Sequence, residues 1–451
     1  MTTPTVARNA GLPTQDELVR IVEQVLEEAR RMGATSAEAA VNVGTGLSVQ
    51  VRRGEVETLE HERDRALGVG VYFGHRQGTA SSSDFSADSV RETVAAACSI
   101  ARYTSEDPAH GLADPDHLAR DIPDLDLDHP WALTVDEAIE RALTCEAAAL
   151  DTDARISNSE GAGVSTSRSL RVYGTSHGFL GSTVGTQHGM NCVVIAGEGA
   201  DMQRDYWYTV AREAGALETP EAVGRRAAER AVRRLGSRQA HTGRMPVLYV
   251  PEAARGLIGH FLGAVRGSNL YRHASFLLDH LGEQVFPAHV TMTEYPHLPR
   301  ALGSAPFDNE GVATAERVLV DGGVLRGYVL DSYSARKLGL TTTGNAGGVH
   351  NLTVAPGVLD FDGLLRDMGR GLVVTELMGQ GANPVTGDYS RGAAGFLVEN
   401  GQLADPVAEI TVAGNLRDMF RNLRAVGTDM DTRGSVRTGS LLLDDVVVAG
   451  Q

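Results

Sequence analysis

The chain is poor in several things, and each shortage removes a class of function. Basic residues are outnumbered, 41 Lys and Arg against 58 Asp and Glu, for a formal charge of −17. Such a chain repels a phosphate backbone, and no basic stripe interleaved with aromatics offsets that, so nucleic-acid binding is not expected. The basic runs ARRM (29–32) and RRAAERAVRR (225–234) lie on helical segments with acidic residues in or beside them, and read as solvated helix faces. Cysteine occurs only as Cys98, Cys145 and Cys192. An odd count at that spacing is neither a disulfide framework nor a zinc knuckle nor a redox pair, and reduced, buried thiols in the cytoplasm are expected. No run of 18 or more apolar residues occurs, so no membrane span is expected. The first residues, MTTPTVARNAGLPTQDELV, lack the apolar core of a signal peptide, which also points to the cytoplasm.

What the chain does have is length and glycine. Its 451 residues suggest roughly three domains at about 150 residues each. The 52 glycines have no collagen-like period and fall between short alternating segments, as turns between strands would. Thr14 and Glu17 form a capping box ahead of a helix whose apolar face is Leu18, Ile21, Val22, Val25, Leu26 and Ala29, ending at Gly33. AEAAVNVG, GLSVQVRRG and EVETLEHER then read as three strands of an antiparallel meander. ALGVGVYFG and RQGTASSSD follow as a strand pair, and Ser86 or Asp88 caps a second helix. The Pro- and Asp-rich stretch 106–130 reads as an exposed linker. A middle unit has a helix, short polar strands suited to a sheet with one wet face, and a closing helix. The last unit holds one early helix and many short strands, as in a large twisted sheet or partly closed barrel. The expected class is α+β, with helix and antiparallel-sheet units over 1–125 and 126–240 and a strand-rich, barrel-like domain over 241–451.

Few segments carry reactive groups. In TTTGNAGGVHNLTV (341–354), Gly344, Gly347 and Gly348 permit tight turns and close approach, and His350 is either a turn residue or a polar contact at a groove lip. The stretch lacks the Lys and Ser/Thr of a phosphate loop. Glu376 lies in the apolar strand GLVVTELM, where a carboxylate needs a partner such as Arg391 or Arg336; an ion pair and an acid/base role are both open. Asp388, Tyr389, Ser390 and Arg391 cluster on a Gly-flanked loop and are candidate substrate contacts. No G-x-S-x-G elbow precedes Ser390, which argues against a serine hydrolase. His260, His273, His280, His289 and His297 gather in one region without H-x-x-x-H spacing; His273 and His280 stand two helical turns apart, about 10 Å, too far for one metal.

Longer stretches resemble a known family. GLIGHFLGAVRGSNLYRHASFLLDHLGEQVF, YSARKLGLTTTGNAGGVHN, GLVVTELMGQGANPVTGDYSRGAAGFLVENG, AEITVAGNLRDMF and the terminal VAGQ resemble the PmbA (TldE) branch of the TldD/PmbA metalloprotease family, as do YGTSHGFLGSTVGTQH and MQRDYWYT. GVGVYFGHRQGTASSSDFS resembles both branches. The resemblance implies a cytosolic zinc metalloprotease assembly, in older naming a modulator of DNA gyrase. TldD and PmbA subunits pair around a closed chamber, cleave unfolded polypeptides, and serve peptide-antibiotic maturation and antitoxin turnover. In TldD an H-E-x-x-x-H helix and a Cys near the C-terminus hold zinc, and the Glu activates water. Carried over, the first His falls on His260, the Glu position on Phe261 and the second His position on Val265, and no Cys follows Cys192. One His of a site worth about 10–16 kcal/mol over four ligands supplies roughly 3–4 kcal/mol, millimolar binding at best. The resemblance therefore implies no catalytic and no metal-binding residue in this chain, with zinc in a TldD-type partner. It further implies a heterodimer with that partner, a homodimer when alone, and unfolded peptides as substrates lining up against His350, Glu376, Tyr389 and Arg391. Two alternatives are an independent homodimeric peptidase using other ligands, such as His260 with His350 or Glu376, and a peptide-binding module without proteolysis.

Overall fold

A computed structural model describes residues 13–451. Helix α1 (Gln15–Arg31) starts on the expected capping box, with Thr14 accepting from the Glu17 backbone and Glu17 returning the bond. Strands β1 (Ser36–Arg52), β2 (Glu55–Phe73) and β3 (Arg76–Ser82) and helix α2 (Ala87–Tyr103) follow. Next come α3 (Val135–Thr152), β4 (Ile156–Thr175), β5 (Leu180–Ala196), β6 (Gln203–Ala211) and α4 (Pro220–Arg233). The six strands form one antiparallel sheet in the order β3-β2-β1-β4-β5-β6, so β1 and β4 join the first and second halves of this region in fourteen consecutive pairs. The segments AEAAVNVG and GLSVQVRRG, expected as two strands, are the single strand β1. Gly44 and Gly46 continue in register with Ser169 and Ser167 because pairing on both sides holds the backbone extended.

One face of the central strand β1 is apolar over most of its length. Ala37, Ala39, Val41 and Val43 of β1 pack under α1 and α2, and Leu47, Val49 and Val51 pack under α3 with α4 beside it. The alternation of side chains then puts a polar set on the other face. Gly44, Gly46 and Ser48 of β1 stand beside Ser169, Ser167 and Ser165 of β4, and these beside Gly185, Gln187 and Gly189 of β5. Ser165, Ser167, Ser169 and Gln187 are exposed, which is the wet face anticipated from the polar strands.

Residues 106–130 differ from a free linker. They run as a strap that buries Ala109, Leu112, Ala113, Ala119 and Leu125 and bridges Leu118 to Val312. The apolar residues set between its Pro and Asp residues face the protein, while several of its carboxylates pair with it, Asp107 with Lys337 and Asp128 with Arg168.

The C-terminal region contains β7 (Gly243–Tyr249), α5 (Pro251–Ala264), α6 (Gly267–Leu270), β8 (Met292–Glu294), β9 (Arg317–Asp321), β10 (Val324–Leu325), α7 (Ser332–Lys337), β11 (Leu352–Val354) and α8 (Phe361–Met368). It continues with β12 (Gly371–Met378), β13 (Asp388–Glu399), β14 (Gln402–Asn415), α9 (Leu416–Arg421), β15 (Leu423–Val426), β16 (Val436–Arg437) and β17 (Leu441–Ala449). Strands β14-β13-β12-β7-β17 close on themselves through the pairing of Thr411, Val412 and Ala413 with Ala449, Val448 and Val447, giving a five-stranded barrel. The mixture of helices and sheets with a barrel at the C-terminal end is the α+β architecture read from the sequence. A small sheet, β10-β9-β8-β11-β16, stands beside the barrel.

Candidate functional site

Pro251 opens α5, where its fixed φ suits a first turn. Ala254, Leu257, Ile258, Phe261 and Ala264 then recur at helical spacing and turn into the core. Phe261 is 0 % exposed and meets Phe286 and Phe420 edge-on, at 5.1 and 6.1 Å between centroids. Val265, also 0 % exposed, is the C-cap, past the last helical residue. His260 sits on the flank of the same helix, 5.7 Å from the ring of Tyr389 in an edge contact, and its Nε2 is buried without a hydrogen-bond partner. Burial, and then the Arg391 charge, push its imidazole below the ordinary value, toward the neutral form. Tyr389, against which it packs, has a second phenol, Tyr249, beside it. Tyr389 is 2 % exposed, with burial holding its phenol up at about 12, and Tyr249 is fully buried and pushed well above its ordinary value, first by burial and then by the Tyr389 hydroxyl beside it. Arg391 donates from Nε to the Met378 carbonyl at 3.4 Å.

The zinc that the resemblance implies can be tested against these groups. The neighbours of His260 are a phenol and a guanidinium, and the two positions that would complete a motif are closed in aromatic and aliphatic core. Among the described residues no group of three or more His, Cys, Asp or Glu side chains is placed to hold a metal. The donor set does not fit a catalytic zinc, which needs three protein ligands and an open position.

The other candidates lie elsewhere. Glu376 follows a bulge in β12 and accepts from Arg234 at 2.6 Å, and Arg234 also reaches Asp205 at 3.5 Å. Its partner is thus Arg234, from the turn after α4, and neither Arg391 nor Arg336, both of which are committed to backbone carbonyls. This pair belongs to a charge cluster between β6, α4 and the C-terminal region. Arg230 meets Asp205 and Glu252, and Arg433 meets Glu252 and Asp431 while lying 4.4 Å over the rings of Trp207 and Tyr208. Asp388 is bound to Thr386 and Asn415, a turn-stabilising role. His280 bonds its neighbour Leu278 O, and His297 pairs with Thr314.

His350 stands at a polar cavity between the wet face of the sheet and the loops of the C-terminal region. Positive φ at Gly344, Gly347 and Gly348, of 69°, 107° and 121°, lets the 341–350 segment fold back on itself. A Cβ on Gly347 would stand 2.5 Å from Asn309, so only glycine allows that approach. Asp308 fastens the opposite turn by accepting the N–H groups of Glu310, Val312 and Ala346. The His350 backbone N–H donates to Glu294 at 2.6 Å, and Arg171, from β4, donates to Asn309 across the gap. Sequence reasoning missed Arg171, since in a polar strand it reads as one more solvated side chain; only the alternation that placed it on the wet face gave a signal.

Comparison with known proteins bears on these sites. Residues 37–101, 128–235 and 242–450 match the families described as PmbA/TldA metallopeptidase domain 1, central domain and C-terminal domain. The chain is 49 % identical over 435 residues to the metalloprotease PmbA of Escherichia coli O157:H7, covering 96 % of this chain and 97 % of that one. It is 47 % identical to the metalloprotease PmbA homolog of Haemophilus influenzae, covering 97 % of each. Among solved structures, a putative modulator of DNA gyrase from Bacteroides thetaiotaomicron superposes with a TM-score of 0.92 at 31 % identity, over 97 % of this chain and 100 % of that one. TldE from Thermococcus kodakarensis shares the fold, with a TM-score of 0.84 at 21 % identity over 95 % of this chain and 100 % of that one.

Proposed function

The chain belongs to the PmbA/TldA metallopeptidase family, and we propose that within it this protein is the non-catalytic subunit of a cytoplasmic zinc metalloprotease that cleaves unfolded peptides. The observation that carries this reading is the motif helix, where Phe261 and Val265 are sealed in the core and His260, among the described residues, belongs to no group of three or more side chains that could hold a metal. A catalytic zinc needs three protein ligands and a group that activates its bound water, and Phe261 and Val265 can supply neither a ligand nor a carboxylate. Zinc and the water-activating carboxylate belong, in this reading, to a TldD-type partner. The wet sheet face of Gly, Ser and Gln forms one wall of the substrate chamber, where an extended chain is held through its backbone without its sequence being read. The surface that meets the partner pairs two copies of this chain when it is alone.

The test is made on tag-free protein with a TldD-type partner. Zinc per chain after exhaustive dialysis should be near zero, and adding the chain to the partner should raise cleavage of an unfolded polypeptide by about tenfold or more, ~1.4 kcal/mol of barrier. One zinc per chain would instead favour an independent peptidase. No change in cleavage on mixing would leave peptide binding without proteolysis.

A further inference from the structure

The cavity at His350 has a volume of about 370 Å³ and opens beside Ser169, Thr183 and Gly185 of the wet face. Two guanidinium groups, Arg171 and Arg212, and one carboxylate, Asp308, line it, and Asp308 and Glu38 act on Arg171 electrostatically without ion-pair contact. Arg171 spends two of the five N–H groups of a guanidinium, on Asn309 Oδ1 at 2.7 Å and Asn309 O at 3.3 Å, and lies 5.4 Å over the Tyr173 ring. It forms no ion pair among the described residues. Arg212, on the same wall, donates to the carbonyls of Thr186, Ala301 and Leu302. Asp308 also lines the cavity, and its oxygens are taken up by the backbone N–H groups of its own turn and of Ala346. The Nε2 of His350 is buried with no partner. Buried polar groups are nearly always satisfied, so an unpartnered imidazole nitrogen and an unpaired guanidinium on one cavity wall point to a missing acceptor.

The missing group has to be anionic and flat enough to take parallel N–H donors from a guanidinium, which is the geometry of a carboxylate. It also has to arrive from the wet face, where glycine and serine leave room for a main chain and offer nothing to fix a large side chain. We infer that this cavity holds the C-terminal carboxylate of a peptide, with Arg171 pairing to it and His350 Nε2 donating to it. The inference rests on the reading of this chain as a chamber wall and adds which end of the peptide is held.

The test uses the full chain alone, so its failure is separate from failure of the cleavage test with the partner. N-acetyl-tetra-alanine acid, the same peptide as its C-terminal amide, and acetate are compared by titration calorimetry. The acid should bind about tenfold or more tighter than the amide or acetate, a difference expected when one partner of a charge-assisted pair is removed. Arg171→Gln, confirmed folded by circular dichroism, should bring the acid down to the level of the amide, and His350→Gln should weaken it part of the way. Equal binding of acid and amide, equal binding of acetate and peptide, or no binding of the acid at millimolar concentration overturns the assignment. Those comparisons need only the natural protein, so an unfolded Arg171→Gln does not shelter the idea.

Discussion

Glu310 holds its carboxyl where ionisation is costly. Burial pushes it up to about 7, opposed by the Ser332 N–H and hydroxyl and reinforced by the negative charges of Asp308 and Asp331. A carboxyl raised in the folded state keeps its proton there after the unfolded chain has lost it. Its contribution to stability is therefore complete below about pH 4.5 and drains away as pH rises to about 7, on the order of 3 kcal/mol in all. Glu310→Gln keeps the acceptor oxygen for Ser332 and cannot ionise. Urea midpoints should show the variant gaining on the natural chain steadily between pH 5 and pH 7 and levelling off above that; parallel pH profiles would refute this. Glu376 invites the opposite expectation. Its bond to Arg234 is structural, and Arg234 retains Asp205 and the Arg204 carbonyl when Glu376 is neutralised. Glu376→Gln should cost only about 1 kcal/mol of stability, as for partly exposed pairs. It should leave cleavage by the mixed assembly within about twofold, where loss of a general acid or base costs about a hundredfold or more.

Elements in this fold meet closely where glycine lets them. Gly224 of α4 faces α3, and a Cβ there would stand 2.1 Å from the Cys145 carbonyl oxygen and 3.0 Å from the Ala149 nitrogen. Both neighbours are helix backbone and cannot rotate away. Alanine is the better helix former by about 1 kcal/mol, yet overpacking of a tight interface costs about 1–3 kcal/mol, so the clash should win. Gly224→Ala should lower the urea midpoint, by an amount near 2 kcal/mol; a rise would mean that α4 slides away from α3 freely. The same backbone-level facts limit what a sequence discloses about elements. The capping boxes of α1 and α3 are local, so Thr14 with Glu17 and Thr134 with Glu137 announce their helices. Gly44 and Gly46 look like breaks because nothing local shows that β4 pairs across them. Barrel closure between β14 and β17 joins residues over 30 positions apart through main-chain bonds that leave no signature in side chains. Helix α5 was legible, because its apolar residues recur at helical spacing behind Pro251. Arg171 was not, because what sets it apart, a guanidinium with no carboxylate in ion-pair contact, exists only in space.

Across the whole molecule, the sheet and the C-terminal region are tied by the strap as well as by the charge cluster around Arg433. Arg336, at the end of α7, reaches into the strap and donates to the carbonyls of Ala109, Gly111 and Leu112. Lys337 beside it pairs with Asp107 at 2.8 Å, and Tyr333 donates to the same carboxylate at 2.9 Å. Three carbonyls held by one guanidinium fix a segment rich in Pro and Asp that forms only one short helical turn of its own, Pro115–His117. Removing that guanidinium leaves acceptors that water can satisfy only if the strap lifts, so the free energy of local opening should fall before global stability does. Arg120 is exposed in the strap and is a trypsin site, while Ala119 beside it is anchored through its N–H to the Gly311 carbonyl. Arg336→Ala should therefore raise the rate of tryptic cleavage after Arg120 by about tenfold or more, equivalent to ~1.4 kcal/mol of easier opening. Cleavage elsewhere should change little, and the peptide masses after brief digestion separate the two. An unchanged rate at Arg120 would mean that the apolar contacts of Leu112, Ala113 and Leu125 hold the strap without Arg336.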